Sequence, residues 1–238
     1  MAAAVETTTG EIAQKKSDAW TDLGLTLPIF VAYHLGVVFL PVRNAADPVT
    51  SELRALANHS MLLYAGLTLG IGVAFVVVLA MLGKRETIQK KKFLFIAIEG
   101  ALYAFLMRFA GAYVVGSLRL AQPGSGGVFT SVIMSLGAGF YEEIAFRVGL
   151  YGVGAIVIKK LFGKGMRGVI LMATWAVIEA AIFSGWHYVG PLSDPFTLQS
   201  FVFRAVCGLF LTAIYALRGF APAVWTHALY DVWAMILH

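Results

Sequence analysis

Charged residues are scarce in this sequence. Asp, Glu, Lys and Arg together make up 13% of its 238 residues, whereas 59% are hydrophobic. About a quarter of the residues in soluble domains are charged, so this scarcity excludes an ordinary soluble protein and indicates an integral membrane protein. The Lys and Arg residues behind the net charge of +5 lie mostly in short segments between hydrophobic runs. That placement is typical of topology signals and lipid-headgroup contacts, and we predict no nucleic-acid partner.

Three further features are absent. The chain has one cysteine, Cys207, so no intrachain disulfide can form. Residues 1–22 lack the apolar core and cleavage site of a signal peptide, and we predict a polar tail or a short interfacial helix there. The hydrophobic runs lack the period-two alternation of membrane strands, which leaves helices as the membrane-crossing structure.

Seven hydrophobic runs approach or exceed the length of about 20 residues that a helix needs to cross a bilayer. They lie at 23–42, 60–82, 93–118, 128–158, 167–189, 198–217 and 222–237. We therefore predict an all-α protein, a polytopic membrane helix bundle with about seven transmembrane helices. Small residues are expected to let helices pack closely, namely the GxxxG pair Gly66 and Gly70 and the stretch SLGAG at 135–139.

The distribution of Lys and Arg predicts the orientation of the bundle. If the N-terminus is cytoplasmic, inner segments hold twelve of these residues and outer loops hold three, Arg43, Arg54 and Arg119. Because Lys and Arg accumulate on the cytoplasmic side of membrane proteins, we predict a cytoplasmic N-terminus and an external C-terminus.

Charged side chains nevertheless interrupt the hydrophobic runs, although each costs about 2.5–3.5 kcal/mol near the bilayer centre. Glu142, Glu143 and Arg147 lie in GFYEEIAFRVGLYG, residues 139–152. Since residues four apart share a helix face, Glu143 is expected to pair with Arg147, leaving Glu142 turned about 100° away. For Glu179 we favour a structural ion pair with another span, and for His34 a hydrogen-bonded interior position.

Two more pairs have the same helical spacing: Phe183 and His187 in FSGWH, and His227 and Asp231 in HALYD. The sequence lacks the nucleophile motif GxSxG and the zinc-protease motif HExxH. A desolvated carboxylate could instead act as general base, with imidazoles orienting water or stabilising an oxyanion. The same groups could also ligate a metal, because two histidines and one carboxylate form a known zinc set. A proton-coupled transporter is a further alternative, but no inverted repeat supports it.

The three motifs together resemble those of a known family. EEIAFR at 142–147, FSGWH at 183–187 and HALYD at 227–231 fit the motifs EExxxR, FxxxH and HxxxN/D of the CPBP family, the CAAX proteases and bacteriocin-processing membrane proteins. The resemblance covers roughly 128–238. It implies an intramembrane endopeptidase that hydrolyses a peptide bond of a membrane-anchored or lipid-modified protein with activated water. A non-catalytic membrane scaffold or immunity-type binding protein is the alternative.

The resemblance also implies roles for single residues. Glu142 would be the general base and would activate water together with His187, inside the bundle. Glu143, paired with Arg147, would support the site. Such a protein would have the tail 1–22, N-terminal transmembrane helices at 23–127 and a catalytic core at 128–238, all in one membrane domain. We expect it in a bacterial or archaeal cell membrane, in contact with the lipid bilayer.

At the last motif, His227 and Asp231 would bind the oxyanion. Prenyl endopeptidases carry Asn where this chain has Asp231, and an ionised carboxylate repels an oxyanion. Asp231 would therefore be protonated or would orient His227. Members are described as metalloproteases and as metal-independent glutamate proteases; we favour the latter and assign no firm metal ligand. If the reaction used zinc, its ligands would be Glu142, His187 and His227.

The predicted spans make this site hard to assemble. They place His187 near the outer end of the fifth span and His227 near the inner start of the seventh, with Glu142 between them. The three residues can meet only if span boundaries differ, if the loop at 190–197 dips inward, or if the seventh span starts deep inside the bundle.

Overall fold

The computed structural model describes residues 19–82, 90–116, 127–190 and 193–236, and all regular structure in these ranges is helical. This confirms the all-α prediction. The elements are α1 (Ala19–Val37), α2 (Val49–Leu56), α3 (Met61–Leu82), α4 (Lys90–Val115), α5 (Gly127–Gly137), a π-helix (Ala138–Gly152), α6 (Val153–Phe162), α7 (Met166–Trp186), α8 (Leu198–Leu217) and α9 (Phe220–Ile236). Most of the predicted polar tail, residues 1–18, lies outside the described ranges.

Four of the described helices, α3, α4, α7 and α8, are long and apolar enough to cross a membrane. Their outer faces expose large apolar side chains such as Leu62, Val73, Phe95 and Ile98. Apolar surface of this extent suits lipid rather than water. The chain is therefore an integral membrane protein, whereas the predicted seven crossings remain a prediction. Helix α1 carries a buried charge, Asp22, and α9 has 17 residues.

A continuous helical segment runs from residue 127 to residue 162 and is π-helical in its middle. It corresponds to the long fourth hydrophobic run. A π-helix has wider turns than an α-helix, and such turns often occur at functional sites. The side chains of Glu142, Glu143 and Arg147 lie on this π-helix and are buried. Helices α1, α5, α6, α7, α8 and α9 all contact it, so the first charged motif lies at the centre of the described bundle.

Glycine allows α9 to approach the π-helix closely. A Cβ atom at Gly139 would lie 2.6 Å from the Cβ atom of Ala228 and 2.7 Å from its backbone nitrogen. This confirms the prediction for SLGAG and brings His227 next to the charged motif. Among the described residues, nothing lies within 4 Å of a Cβ atom built at Gly66 or Gly70, so the predicted packing of this GxxxG pair is wrong.

The N-terminal helices are tied to the motif-bearing segment by polar contacts. The ring of His34 in α1 lies between two hydroxyl groups, with Nδ1 2.9 Å from Tyr64 Oη and Nε2 2.5 Å from Tyr141 Oη. Both ring nitrogens thus have partners, as predicted for an interior histidine. At the other end of α1, Asp22 Oδ2 accepts a hydrogen bond of 2.7 Å from the backbone N–H of Phe220, the first residue of α9. These contacts position the π-helix and α9 relative to α1.

Candidate active site

The structure brings Glu142 together with both motif histidines. Glu142 Oε2 lies 3.9 Å from His187 Nε2 and 4.0 Å from His227 Nε2. This oxygen is buried and has no hydrogen-bond partner among the described residues. The separations are too long for direct hydrogen bonds but suit a water molecule shared between the carboxylate and an imidazole. The arrangement places one carboxylate and two imidazoles around one small volume.

The position of α9 explains how residues that the span boundaries kept apart can meet. His227 lies seven residues after the first residue of α9, about 10 Å along the helix. Ala221, Ala223 and Val224, in the first turns of α9, are fully buried. The seventh run therefore starts inside the bundle. His187 follows the last residue of α7, and its ring folds back so that Nδ1 lies 3.0 Å from the carbonyl oxygen of Phe183.

Glu143 has two partners where the sequence indicated one. Arg147 Nη1 lies 3.3 Å from Glu143 Oε1, so the predicted pair is present. The same oxygen lies 2.7 Å from His227 Nδ1. Because a carboxylate accepts hydrogen bonds, Nδ1 carries the proton, which leaves Nε2 of His227 facing Glu142. Glu143 thus fixes both the orientation and the tautomer of this imidazole.

Arg147 is fully buried and joins the π-helix to α7 and α8. Its Nε lies 3.8 Å from Glu179 Oε1, its Nη2 donates a hydrogen bond of 3.1 Å to the carbonyl oxygen of Gly208, and its guanidinium lies 4.2 Å from the centre of the Phe183 ring. The other carboxylate oxygen of Glu179 accepts a hydrogen bond of 2.6 Å from Thr212 Oγ1. Glu179 is therefore in an ion pair between elements, as the sequence suggested, and the pair includes a motif residue.

Asp231 lies on the open side of the site. Its Oδ2 is 3.5 Å from His227 Nε2, one helical turn away on α9. This contact is longer than the one between Glu143 and His227, so Glu143 is the residue that orients the imidazole. The side chain of His187 is 24% exposed and that of Asp231 is 18% exposed, whereas that of Glu142 is 8% exposed. Glu142 is therefore the most buried of the three side chains, and His187 and Asp231 are partly exposed beside it.

One residue at this site was missed in the sequence. Asn44, in the irregular segment between α1 and α2, donates a hydrogen bond of 2.9 Å from Nδ2 to Glu142 Oε1. It is 6% exposed. Its only sequence signal is that asparagine occurs twice in the chain, at Asn44 and Asn58, and this does not single it out.

The predicted metal ligands can be compared with the geometry that zinc requires. Tetrahedral zinc with bonds of about 2.0–2.2 Å places neighbouring ligand atoms about 3.4 Å apart. The measured separations from Glu142 Oε2 to the two imidazoles are 3.9 and 4.0 Å. Within the described part of the chain, no group of three His, Cys, Asp or Glu side chains is arranged to hold a metal ion.

Strong chelators are expected to leave activity unchanged. Purified protein dialysed against EDTA and then 1,10-phenanthroline should keep its cleavage rate within about twofold, and elemental analysis should find far less than one zinc per chain. Loss of activity that added zinc restores would contradict this expectation and would make Glu142, His187 and His227 the ligands to test.

The fold and the buried carboxylate–imidazole cluster together define a class, the helical membrane proteins with carboxylates and imidazoles buried inside the bundle. Residues 124–233 match the family model described as type II CAAX prenyl endopeptidase Rce1-like. This match supports the resemblance to the CPBP family of CAAX proteases that the motifs predicted. No curated protein matches the chain, and no solved structure does.

Proposed function

We propose that the protein is an intramembrane endopeptidase that hydrolyses a peptide bond of a membrane-anchored or lipid-modified protein by activating water at Glu142. The family match supports proteolysis of a membrane-associated substrate in general. One observation carries the assignment to Glu142: its Oε2 atom is buried, without a hydrogen-bond partner among the described residues, and faces His187 and His227 at 3.9 and 4.0 Å. The carboxylate thus has a lone pair directed at the place where water can be held.

In the proposed reaction, water bound between Glu142 and His187 gives a proton to Glu142 as its oxygen attacks the peptide carbonyl carbon. A tetrahedral intermediate with a negatively charged oxygen results. The C–N bond then breaks, and the proton on Glu142 passes to the leaving amine. The products are a new carboxyl terminus and a new amino terminus. A general base of this kind contributes about 10²–10⁴-fold to a rate.

Binding of the oxyanion is assigned to His227. Its ring lies within 4.0 Å of Glu142 and Asp231 through Nε2, and Nδ1 donates to Glu143. An imidazole whose Nδ1 is hydrogen-bonded to Glu143 and whose Nε2 faces other carboxyl groups is suited to carry a proton on Nε2 and so to donate to an oxyanion. Asp231 contributes only in its protonated form, because an ionised carboxylate would repel the developing charge. Glu143 and Arg147 are assigned to positioning.

We propose that the substrates are proteins anchored in the same bilayer as the enzyme. The N-terminus is proposed to be cytoplasmic on the strength of the uneven Lys and Arg distribution. Under this proposal the substrate needs no soluble carrier, since the bilayer itself delivers it to the open side of the site.

The experiment that tests this function measures peptide cleavage by purified protein in liposomes. The probe is a quenched fluorescent peptide that ends in a farnesylated CAAX sequence, with the unmodified peptide in parallel. We expect wild type to cleave the lipid-modified peptide. His187→Ala should cleave it at least about 100-fold more slowly, because the water loses one of the two side chains that bind it. Equal rates for wild type and His187→Ala would contradict the proposed site, and wild type that cleaves no membrane peptide would favour a non-catalytic binding protein.

A further inference from the structure

The segment between α1 and α2 reaches into the site from a part of the chain that carries no family motif. Asn44 lies 98 positions before Glu142 and outside residues 124–233, yet its amide nitrogen is 2.9 Å from Glu142 Oε1. Both side chains are buried. The two oxygens of Glu142 therefore have different surroundings, since Oε1 accepts from Asn44 while Oε2 faces the imidazoles.

Asn44 is itself held in place. Its Oδ1 atom accepts a hydrogen bond of 2.8 Å from the backbone N–H of Ala46, and its own backbone N–H donates to Tyr33 Oη at 3.2 Å. The Tyr33 hydroxyl donates in turn to Asp47 Oδ2 at 2.8 Å. A side-chain amide with its oxygen fixed in this way has a defined direction for its N–H groups.

Asp47 anchors the same segment to the start of α2. Its Oδ1 atom accepts hydrogen bonds from the backbone N–H groups of Val49 and Thr50 at 2.8 and 3.0 Å, and its Oδ2 atom accepts from the Thr50 hydroxyl. A carboxylate that accepts from the first N–H groups of a helix is a stabilising cap. The irregular segment is thus tied to α1 through Tyr33 and to α2 through Asp47, and both ties are buried.

We propose that Asn44 is a positioning residue for the reaction: it holds Oε1 of Glu142 so that Oε2 is directed at the water that Glu142 shares with His187. The inference rests on the proposed function of Glu142. A carboxylate can rotate about its terminal torsion, and that torsion is broad. One fixed hydrogen bond at Oε1 removes this freedom. A neutral amide restrains this rotation without adding a full positive charge. The charge of a Lys or Arg at this position would stabilise the carboxylate and weaken it as a base.

The substitution Asn44→Asp separates this role from a structural one. An aspartate at this position keeps an oxygen to accept from the Ala46 N–H but loses the N–H donor to Glu142. We expect kcat for the farnesylated peptide to fall about 10- to 100-fold, as for loss of a hydrogen bond to a charged group, with KM changed less than about threefold. Asn44→Ala should lose a comparable factor. The matched control is Asn58→Asp. Asn58 is the chain's other asparagine and is exposed, so this variant should cleave the peptide at the wild-type rate.

A purely structural role predicts a different order. Asn44→Ala would then lose thermal stability while its kcat stayed near that of wild type, and that result would overturn the proposal. A fall in kcat that is matched by an equal rise in KM would overturn it too, because positioning of the base acts on the chemical step and not on substrate binding.

A second measurement needs no substrate, so it distinguishes failure of this inference from failure of the proposed function. Asn44→Ala and Glu142→Ala are made singly and together, and the midpoint of thermal unfolding is measured for each purified protein. A direct contact predicts that the double variant shifts the midpoint by clearly less than the sum of the two single shifts. Additive shifts would show that Asn44 does not hold Glu142, whether or not the wild type cleaves a peptide.

Discussion

The variant Glu142→Gln is expected to lose about 10²–10⁴-fold in cleavage rate while its fold is kept. Glutamine has nearly the same shape as glutamate, and its side-chain oxygen can still accept the hydrogen bond from Asn44 Nδ2. It cannot take a proton from water. The expected loss therefore falls on kcat, and the KM of the farnesylated peptide should change little. Initial rates in liposomes over a range of peptide concentrations provide both constants.

The matched control for this variant is Glu52→Gln, because Glu52 lies exposed in the first turn of α2. It should cleave at the wild-type rate. A Glu142→Gln protein with the thermal unfolding midpoint of wild type and full activity would exclude Glu142 as the base. The same outcome would favour a binding function for the buried cluster, since binding of a peptide does not require proton transfer.

The spacing of residues along the sequence was sufficient to predict the contacts made within one helix. Glu143 and Arg147 are four residues apart, and any helix brings such residues onto neighbouring positions of one face. Their pairing at 3.3 Å follows from the sequence alone. The exposed apolar faces of α3 and α4 are likewise consequences of composition, because a helix in lipid has no polar face to present.

The contacts between residues of different elements were harder to predict from the sequence. Glu142 lies on the π-helix, His227 lies on α9 and His187 directly follows α7, and the predicted boundaries of the hydrophobic runs put the three residues at different depths. The buried first turns of α9 bring His227 to the depth of Glu142, and hydropathy does not distinguish burial in protein from burial in lipid. The second partner of Glu143 depends on the same placement of α9. The family resemblance, and not the physical pattern, indicated that these residues meet.

Two features could not be predicted from the sequence. The wide turns between Ala138 and Gly152 arise where surrounding helices pack against the segment, while its apolar pattern is compatible with an ordinary α-helix. Asn44 lies in an irregular segment whose path is set by buried contacts of Tyr33 and Asp47. Such contacts bridge residues far apart in sequence. Periodicity can predict helices but cannot predict where an irregular segment places one side chain.

The second large effect is expected for stability. Arg147→Met should lower the free energy of unfolding by about 3–5 kcal/mol, the typical cost of removing one partner from a buried ion pair. Arg147 lies 3.3 Å from Glu143 and 3.8 Å from Glu179, and all three side chains are fully buried. Methionine fills part of the volume but leaves two carboxylates inside the bundle without their cation. The change in the free energy of unfolding is measured by unfolding the protein in mixed micelles that contain an increasing fraction of a denaturing detergent.

A double variant tests whether charge, and not volume, causes this loss. Arg147→Met combined with Glu179→Gln removes one of the two uncompensated carboxylates, and the amide can still accept from Thr212 Oγ1. It should therefore be more stable than Arg147→Met alone, although Glu179→Gln by itself is expected to destabilise the wild type. The control Arg167→Met, at an exposed position in the first turn of α7, should cost less than about 1 kcal/mol. If the double variant were the least stable protein of the series, the loss would come from packing around Arg147, and the ion pair between the π-helix and α7 would contribute little to holding the two elements together.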